Sequence, residues 1–173
     1  MTTPVTTLDQ RYGDPDAVAT GWDETRQVLE SAQVFWISTV RADGRPHVTP
    51  CAAVWLGGVL YFDTGITQQK AINLRVNRHV ILTTGCNRWD GGLDVMVEGD
   101  AVRVTDDDML TRLAEVWATR WDGRFRFHVR DGSFYQDHDE GLEVLVFSVT
   151  PTKILAFSRG AQNGQNSHTA HRF

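Results

Sequence analysis

The chain has 173 residues, within the ~100–200 of a single domain, and its 41% apolar and 23% charged residues exclude wholesale disorder. Acidic residues (22) outnumber basic ones (17) for a formal charge of -5, which disfavours a nucleic-acid binder working by bulk charge. No apolar run approaches the ~18 residues of a membrane span, residues 1–12 lack the apolar stretch of a secretory signal, and Cys51 and Cys86 alone make no disulfide framework, so the expectation is a reduced, cytoplasmic protein.

Residues 1–20 read as a loose arm, with Pro4, Gly13, Pro15 and several Thr. A short helix starts near Asp23, with Val28, Leu29 and Ala32 on its apolar side. Val34 to Val40 is β-branched and aromatic and predicts a buried strand. Asp43-Gly44 is a hairpin signal. The return strand, about His47 to Leu56, contains Pro50, which marks an edge, a bulge or a ligand-facing break. Gly57-Gly58 turns the chain into a third strand, Val59 to Thr64. Residues 67–77 predict a helix with Ala71, Leu74 and also Ile72 and Val76 inward, followed by a strand at Val80–Thr84. Leu93 to Thr105 alternates around Val95, Val97, Ala101 and Val104, with a bend at Gly99.

Asp106, Asp107 and Asp108 suit a helix start. Leu110, Leu113, Ala114 and Trp117 then give that helix, 107–120, one apolar face. Residues 121–142 predict irregular structure with one short helix at most. Val144–Val149 and Ile154–Phe157 predict two strands broken by Thr150-Pro151, and residues 159–173 read as a tail. Short turns without crossover helices exclude a doubly wound parallel sheet. The expectation is a mainly β (α+β) chain: an antiparallel barrel of six to seven strands with two to four peripheral helices over residues 21–158.

Chemistry concentrates at the junction Phe62-Asp63-Thr64-Gly65-Ile66-Thr67-Gln68-Gln69-Lys70. Only two of the 17 basic residues are lysines, Lys70 and Lys153. Lys70 falls in the first turn of a predicted helix, against the helix dipole. On the residues alone that position reads first as a solvated surface lysine, and second as a phosphate ligand. No P-loop motif is present. His47-Val48-Thr49-Pro50-Cys51 is the second candidate: a strand break that faces a planar heterocycle, or an edge strand with a bulge. No motif supplies an activating His for Cys51. His168 with His171, and the run Asp137-His138-Asp139-Glu140, lack a second cluster at metal-ligand spacing, so no metal is expected. No G-x-S-x-G occurs. Trp36 and Trp55 read as strand packing, and Trp89 and Trp121 as loop aromatics that could line a pocket.

The ordered set His47-Val48-Thr49-Pro50, Leu60 to Thr64, Lys70-Ala71-Ile72-Asn73-Leu74, Asn77-Arg78-His79-Val80, Thr83 to Cys86 and Leu93 to Ala101 resembles the pyridoxamine 5′-phosphate oxidase-like split β-barrel superfamily. It is most similar to the flavin and deazaflavin oxidoreductase branch, over about residues 22–160. The resemblance implies a homodimer with two cofactor sites in clefts between the subunits. It implies cofactor contacts from Val48, Thr49, Pro50, Phe62, Thr64, Gln69, Lys70 and Asn73, with Lys70 on the phosphate and Asp94 near the ring. The implied cofactor is coenzyme F420, with FMN as the alternative, and a small organic molecule as substrate. The ring-facing strand has no Arg after Arg45, and the chain closes His171-Arg172-Phe173 where relatives carry Trp-Arg-Phe. Both departures point away from vitamin B6 oxidation, and His171 in place of Trp is expected to change what closes the pocket. A non-catalytic flavin or deazaflavin binder and a purely structural dimerisation domain are the other two classes the sequence allows.

Overall fold

The computed structural model describes residues 3–136, 139–160 and 165–173. The fold is mainly β. In chain order the elements are β1 (Val5–Leu8), α1 (Trp22–Ser31), β2 (Phe35–Val40), β3 (Pro46–Cys51), β4 (Ala53–Leu56), β5 (Val59–Gly65) and α2 (Gln69–Leu74). They continue as β6 (His79–Thr84), β7 (Leu93–Val104), α3 (Asp107–Arg120), β8 (Phe127–Arg130), β9 (Ser133–Gln136), β10 (Asp139–Arg159) and β11 (Asn166–Arg172). The strand pairings are antiparallel throughout the described residues.

β10 is the hub. One edge runs along the whole of β7, while the other edge pairs β5 through residues 144–149 and then β11 through residues 153–159. The handover lies where the register shifts between Pro151 and Lys153. The chain thus opens into two lobes around one continuous strand, consistent with a split β-barrel. Gly99 makes the crossing possible: a Cβ there would come within 2.6 Å of the Thr150 carbonyl oxygen and 2.8 Å of Val149 Cγ1.

Several expectations need correction. Among the described residues eleven strands form, not six or seven. Thr150-Pro151 does not end a strand, because the bulge absorbs the proline's missing donor. The predicted second strand is two, β3 and β4. Residues 127–136 form a hairpin rather than irregular structure. Its turn is Asp131-Gly132, both at positive φ (52° and 71°), the same dipeptide signal that marks the Asp43-Gly44 turn. The two ends are not an arm and a tail: β1 pairs β11, and β11 pairs β10. There Ser167, Thr169 and His171 are buried although β11 has almost no apolar side chains. Hydrogen bonds replace hydrophobic burial in this region: Thr20 N–H donates to Thr169 Oγ1 at 2.9 Å, and His171 bridges Thr6 and Thr25. α2 is shorter than predicted, and Ile72 and Val76 are exposed.

Two apolar cores result. The barrel core holds Phe35, Ile37, Leu60, Phe62, Leu82, Val97 and Ile154, with Leu29 of α1 closing one side. The second core lies under α3, whose Leu110, Leu113, Ala114 and Trp117 pack on Tyr61, Phe134 and Val146. Asp106 starts that helix by accepting Met109 N–H at 2.8 Å. Strand pairing continues from β1 through β11, β10, β7, β6 and β2 to β3 at the end. The register aligns Ala170, Leu155, Met96, Thr83, Trp36 and Pro50 in one row across it. Trp36, expected inside, is 53% exposed on that row, and Val48 (52%) and Ile81 (38%) are exposed in the next outward-facing row, on either side of Ser38.

Candidate functional site

Strand alternation sorts the β3 candidates onto two faces. His47, Thr49 and Cys51 pair with the buried Thr39, Ile37 and Phe35 and turn inward. Pro46, Val48 and Pro50 are exposed on the outer face. β3 ends the sheet path, so Pro50 sits in an edge strand, where its missing N–H breaks no ladder bond. Phe62 is fully buried and stacked on Phe147 at 5.4 Å, which makes its side chain part of the barrel core.

The remaining candidates meet where β5 hands over to α2. Thr64, Lys70 and Asn73 are all buried, Lys70 at 7% exposure and Asn73 at 2%. Two hydrogen-bonded chains organise the corner. In the first, Gln69 Nε2 donates to Asn73 Oδ1 at 2.8 Å and Asn73 Nδ2 donates to Thr39 Oγ1 at 2.8 Å. Thr39 Oγ1 in turn lies 3.3 Å from His47 Nδ1. In the second, Thr64 Oγ1 donates to Gln68 Oε1 at 3.0 Å, and the Lys70 ammonium donates to the same oxygen. The sequence assigns no role to Thr39 or to Gln68 individually, and His47 enters it only as part of the His47–Cys51 segment. The Gln68-Gln69 pair was visible as a polar dipeptide, but only the fold tells which glutamine reaches Lys70.

The two lysines contrast. Lys153 is ion-paired with Glu98 at 2.8 Å. Lys70 forms no ion pair among the described residues, and its ammonium meets the neutral Gln68 amide. Burial pushes the Lys70 pKa down, with Cys51 and Asp63 opposing it. Burial also raises the Asp63 carboxyl to about 6, against the pull of Lys70, its own backbone amide and the Trp117 indole. The Cys51 thiol is pushed up to about 12 by burial, so it is no thiolate nucleophile at neutral pH. His47 is held below the ordinary histidine value by burial, then by the Arg41 and Lys70 charges, which favours a neutral imidazole.

A buried cation without a carboxylate partner is costly unless something compensates it. On the inward face of β3, between His47 and Cys51, which both feel the Lys70 charge, Thr49 Oγ1 is buried with no hydrogen-bond partner. An anionic group with a polar, flat extension along β3 would satisfy both, so the residues present fit a phosphate-bearing heterocycle. Asp94 lies elsewhere, in a cleft of about 790 Å³ on the outer sheet face with Trp89 and Phe157. It is ion-paired there with Arg159 at 2.8 Å. His171, expected to influence pocket closure, is instead fully buried between β1, α1 and β11. Among the described residues no group of three His, Cys, Asp or Glu could hold a metal. Asp137 and His138 lie outside the described residues.

Comparison with known proteins adds a family. No curated protein matches the chain. Among solved structures it is similar to an F420 reductase (24% identity, TM-score 0.52, covering 79% of this chain and 98% of that one). It is also similar to a pyridoxamine 5′-phosphate oxidase-related, FMN-binding protein of Nostoc punctiforme (15%, TM-score 0.57, 86% of each chain). A third likeness is to General Stress Protein 26 of Bacillus anthracis (18%, TM-score 0.57, 78% and 91%). These identities speak to fold. The family profile named Pyridoxamine 5'-phosphate oxidase matches residues 22–156, most of the chain and both sides of the Lys70 corner. On that match, the chain belongs to the pyridoxamine 5′-phosphate oxidase family.

Proposed function

We propose that the chain is a deazaflavin (coenzyme F420)-dependent reductase acting on a small organic substrate. The observation that carries the reading is the buried Lys70 ammonium, which meets a neutral amide and forms no ion pair with a carboxylate among the described residues. Lys70 and Thr64 hold the phosphate end, and Gln69 and Asn73 brace that corner against β2. The Thr49 hydroxyl and the edge-strand backbone beside Pro50 face the ring. When bound, a deazaflavin supplies a hydride, and the protein's task is orientation, exclusion of water and charge compensation. The likeness to an F420 reductase, extending over 98% of that protein, supports the choice. The likeness to an FMN-binding protein supports FMN as the second reading.

The working unit in this reading is a homodimer. Its contact is the outer sheet face, where Trp36 and, in the next outward-facing row on either side of Ser38, Val48 and Ile81 are exposed, a grouping that single scattered surface hydrophobics do not make. Turnover is tested by mixing the purified protein with reduced deazaflavin and a panel of quinones, nitro compounds and tetrapyrroles, following cofactor absorbance. Acceptor-dependent oxidation is expected. Tight binding with no oxidation under any acceptor would make the chain a carrier or sensor instead.

A further inference from the structure

We propose that Gln68 is an internal stand-in for the ligand's anion: its carboxamide oxygen keeps Lys70 and Thr64 in the arrangement of an occupied site and yields its place to the incoming phosphate. The inference rests on reading the β5–α2 corner as the anion site, and it assigns Gln68 the role of setting affinity there.

Two observations carry it. Gln68 occupies the N-cap position of α2 with extended backbone (φ -69°, ψ 146°), yet its side chain makes no capping hydrogen bond. Its oxygen instead accepts from Thr64 Oγ1 at 3.0 Å and from the Lys70 ammonium. One oxygen meeting a hydroxyl and an ammonium is the environment a phosphate oxygen would have. The amide oxygen reproduces the acceptor geometry but carries only partial charge, so the cation is ordered without being neutralised. Gln68 is itself exposed, so its side chain can swing into solvent without disturbing either core. Lys70, buried and anchored in α2, cannot. The arrangement therefore keeps the site formed while leaving Lys70 available to an anion.

A carboxylate at this position would behave differently. It would form an ion pair with Lys70, and the ligand would have to displace a full charge. An alanine would leave the ammonium without a surrogate but put nothing in the ligand's way. The proposal thus separates Gln68→Glu from Gln68→Ala, two changes at an exposed position that leave the cores intact.

The test uses the full chain with wild type, Gln68→Glu and Gln68→Ala. FMN, deazaflavin and inorganic phosphate are the probes. Gln68→Glu should weaken FMN or deazaflavin at least about tenfold, and Gln68→Ala should bind within about threefold of wild type or more tightly. Equal affinity of Gln68→Glu and wild type overturns the proposal. So does a loss in Gln68→Ala as large as in Gln68→Glu, which would make Gln68 a direct ligand or a structural prop. A second readout needs no cofactor. The chain has only Lys70 and Lys153, so lysine-labelled protein gives two side-chain NMR signals. The Lys70 titration midpoint should rise in Gln68→Glu and fall in Gln68→Ala, with Lys153 unmoved, and phosphate should shift the Lys70 signal alone. A Lys70 signal indifferent to residue 68 overturns the proposal. Wild type that binds neither FMN nor deazaflavin overturns the cofactor reading, and the lysine titration with phosphate then decides on Gln68 by itself.

Discussion

Asn73 donates its Nδ2–H to Thr39 Oγ1 at 2.8 Å across 34 positions of sequence. This bond ties α2 to β2 and so fixes the helix carrying Lys70 against the strand that pairs with β3. The acceptor side of the same amide is held by Gln69 Nε2 at 2.8 Å. Asn73→Ala removes both bonds from a buried position and leaves Thr39 less well satisfied. The expected cost is about 1–3 kcal/mol in urea unfolding, with weaker binding of a phosphate-bearing cofactor. Unchanged stability would show that the corner is held by packing alone.

Asp63 works against the fold at neutral pH. Its carboxyl ordinarily titrates at 3.8 and is raised by burial to about 6. The folded state therefore holds a proton that the unfolded state has released between these values. The penalty is absent below 3.8, grows up to about 6, and is constant above. Asp63→Asn should stabilise the protein at pH 7, by about 3 kcal/mol at most. The gain should vanish near pH 4, as read by denaturation at both pH values.

His171 gives the opposite slope. Nδ1 meets Thr6 Oγ1 at 2.9 Å and Nε2 meets Thr25 Oγ1 at 3.0 Å. Thr25 Oγ1 donates to the Gly21 carbonyl at 3.1 Å, so the bridge is satisfied by the neutral ring with Nε2 as donor. Burial depresses its pKa below 6.5. The unfolded chain takes up the proton first, so the stabilisation is whole above 6.5 and is lost as pH falls below it. His171→Ala should cost on the order of 2–4 kcal/mol at pH 8, and its deficit relative to wild type should shrink at pH 5.5. His47 is depressed in the same direction, which is why the difference between the two proteins, not the wild-type slope, is the measurement.

The homodimer proposal predicts that Trp36→Glu, placing a charge on the exposed outer sheet face, yields a monomer in sedimentation velocity with unchanged circular dichroism. Cofactor binding should fall with it, since the clefts lie between subunits in this reading. A monomeric wild type at micromolar concentration would remove the dimer from the account.

Much of this architecture is legible in the sequence wherever periodicity and turn chemistry act locally. The Asp43-Gly44 and Gly57-Gly58 turns, the alternation of β7 and the apolar stripe Leu110-Leu113-Ala114-Trp117 each report their element directly. The misses have physical reasons. β11 is a strand of sequence Asn-Ser-His-Thr-Ala-His-Arg, stabilised by side-chain hydrogen bonds from residues up to 165 positions away, which no local pattern reveals. The β8–β9 hairpin was signalled by Asp131-Gly132, outweighed by its polar and aromatic surroundings. At the site, the rarity of lysine draws attention to Lys70, and the fold buries that side chain at the β5–α2 corner. Which faces of β3 look inward, and that Gln68 rather than Gln69 reaches Lys70, depend on register and on the helix start, both set by tertiary pairing.

The central claim is that Lys70 anchors a phosphate-bearing redox cofactor. Titration of wild type and Lys70→Met with FMN and with deazaflavin tests it directly, alongside thermal unfolding of both proteins. Wild type should bind at least one of the two in the micromolar range or tighter. Lys70→Met should lose about 10–100-fold in affinity while melting no lower than wild type, because it removes a buried charge. Equal affinity of the two proteins, or no binding by wild type, would contradict the claim.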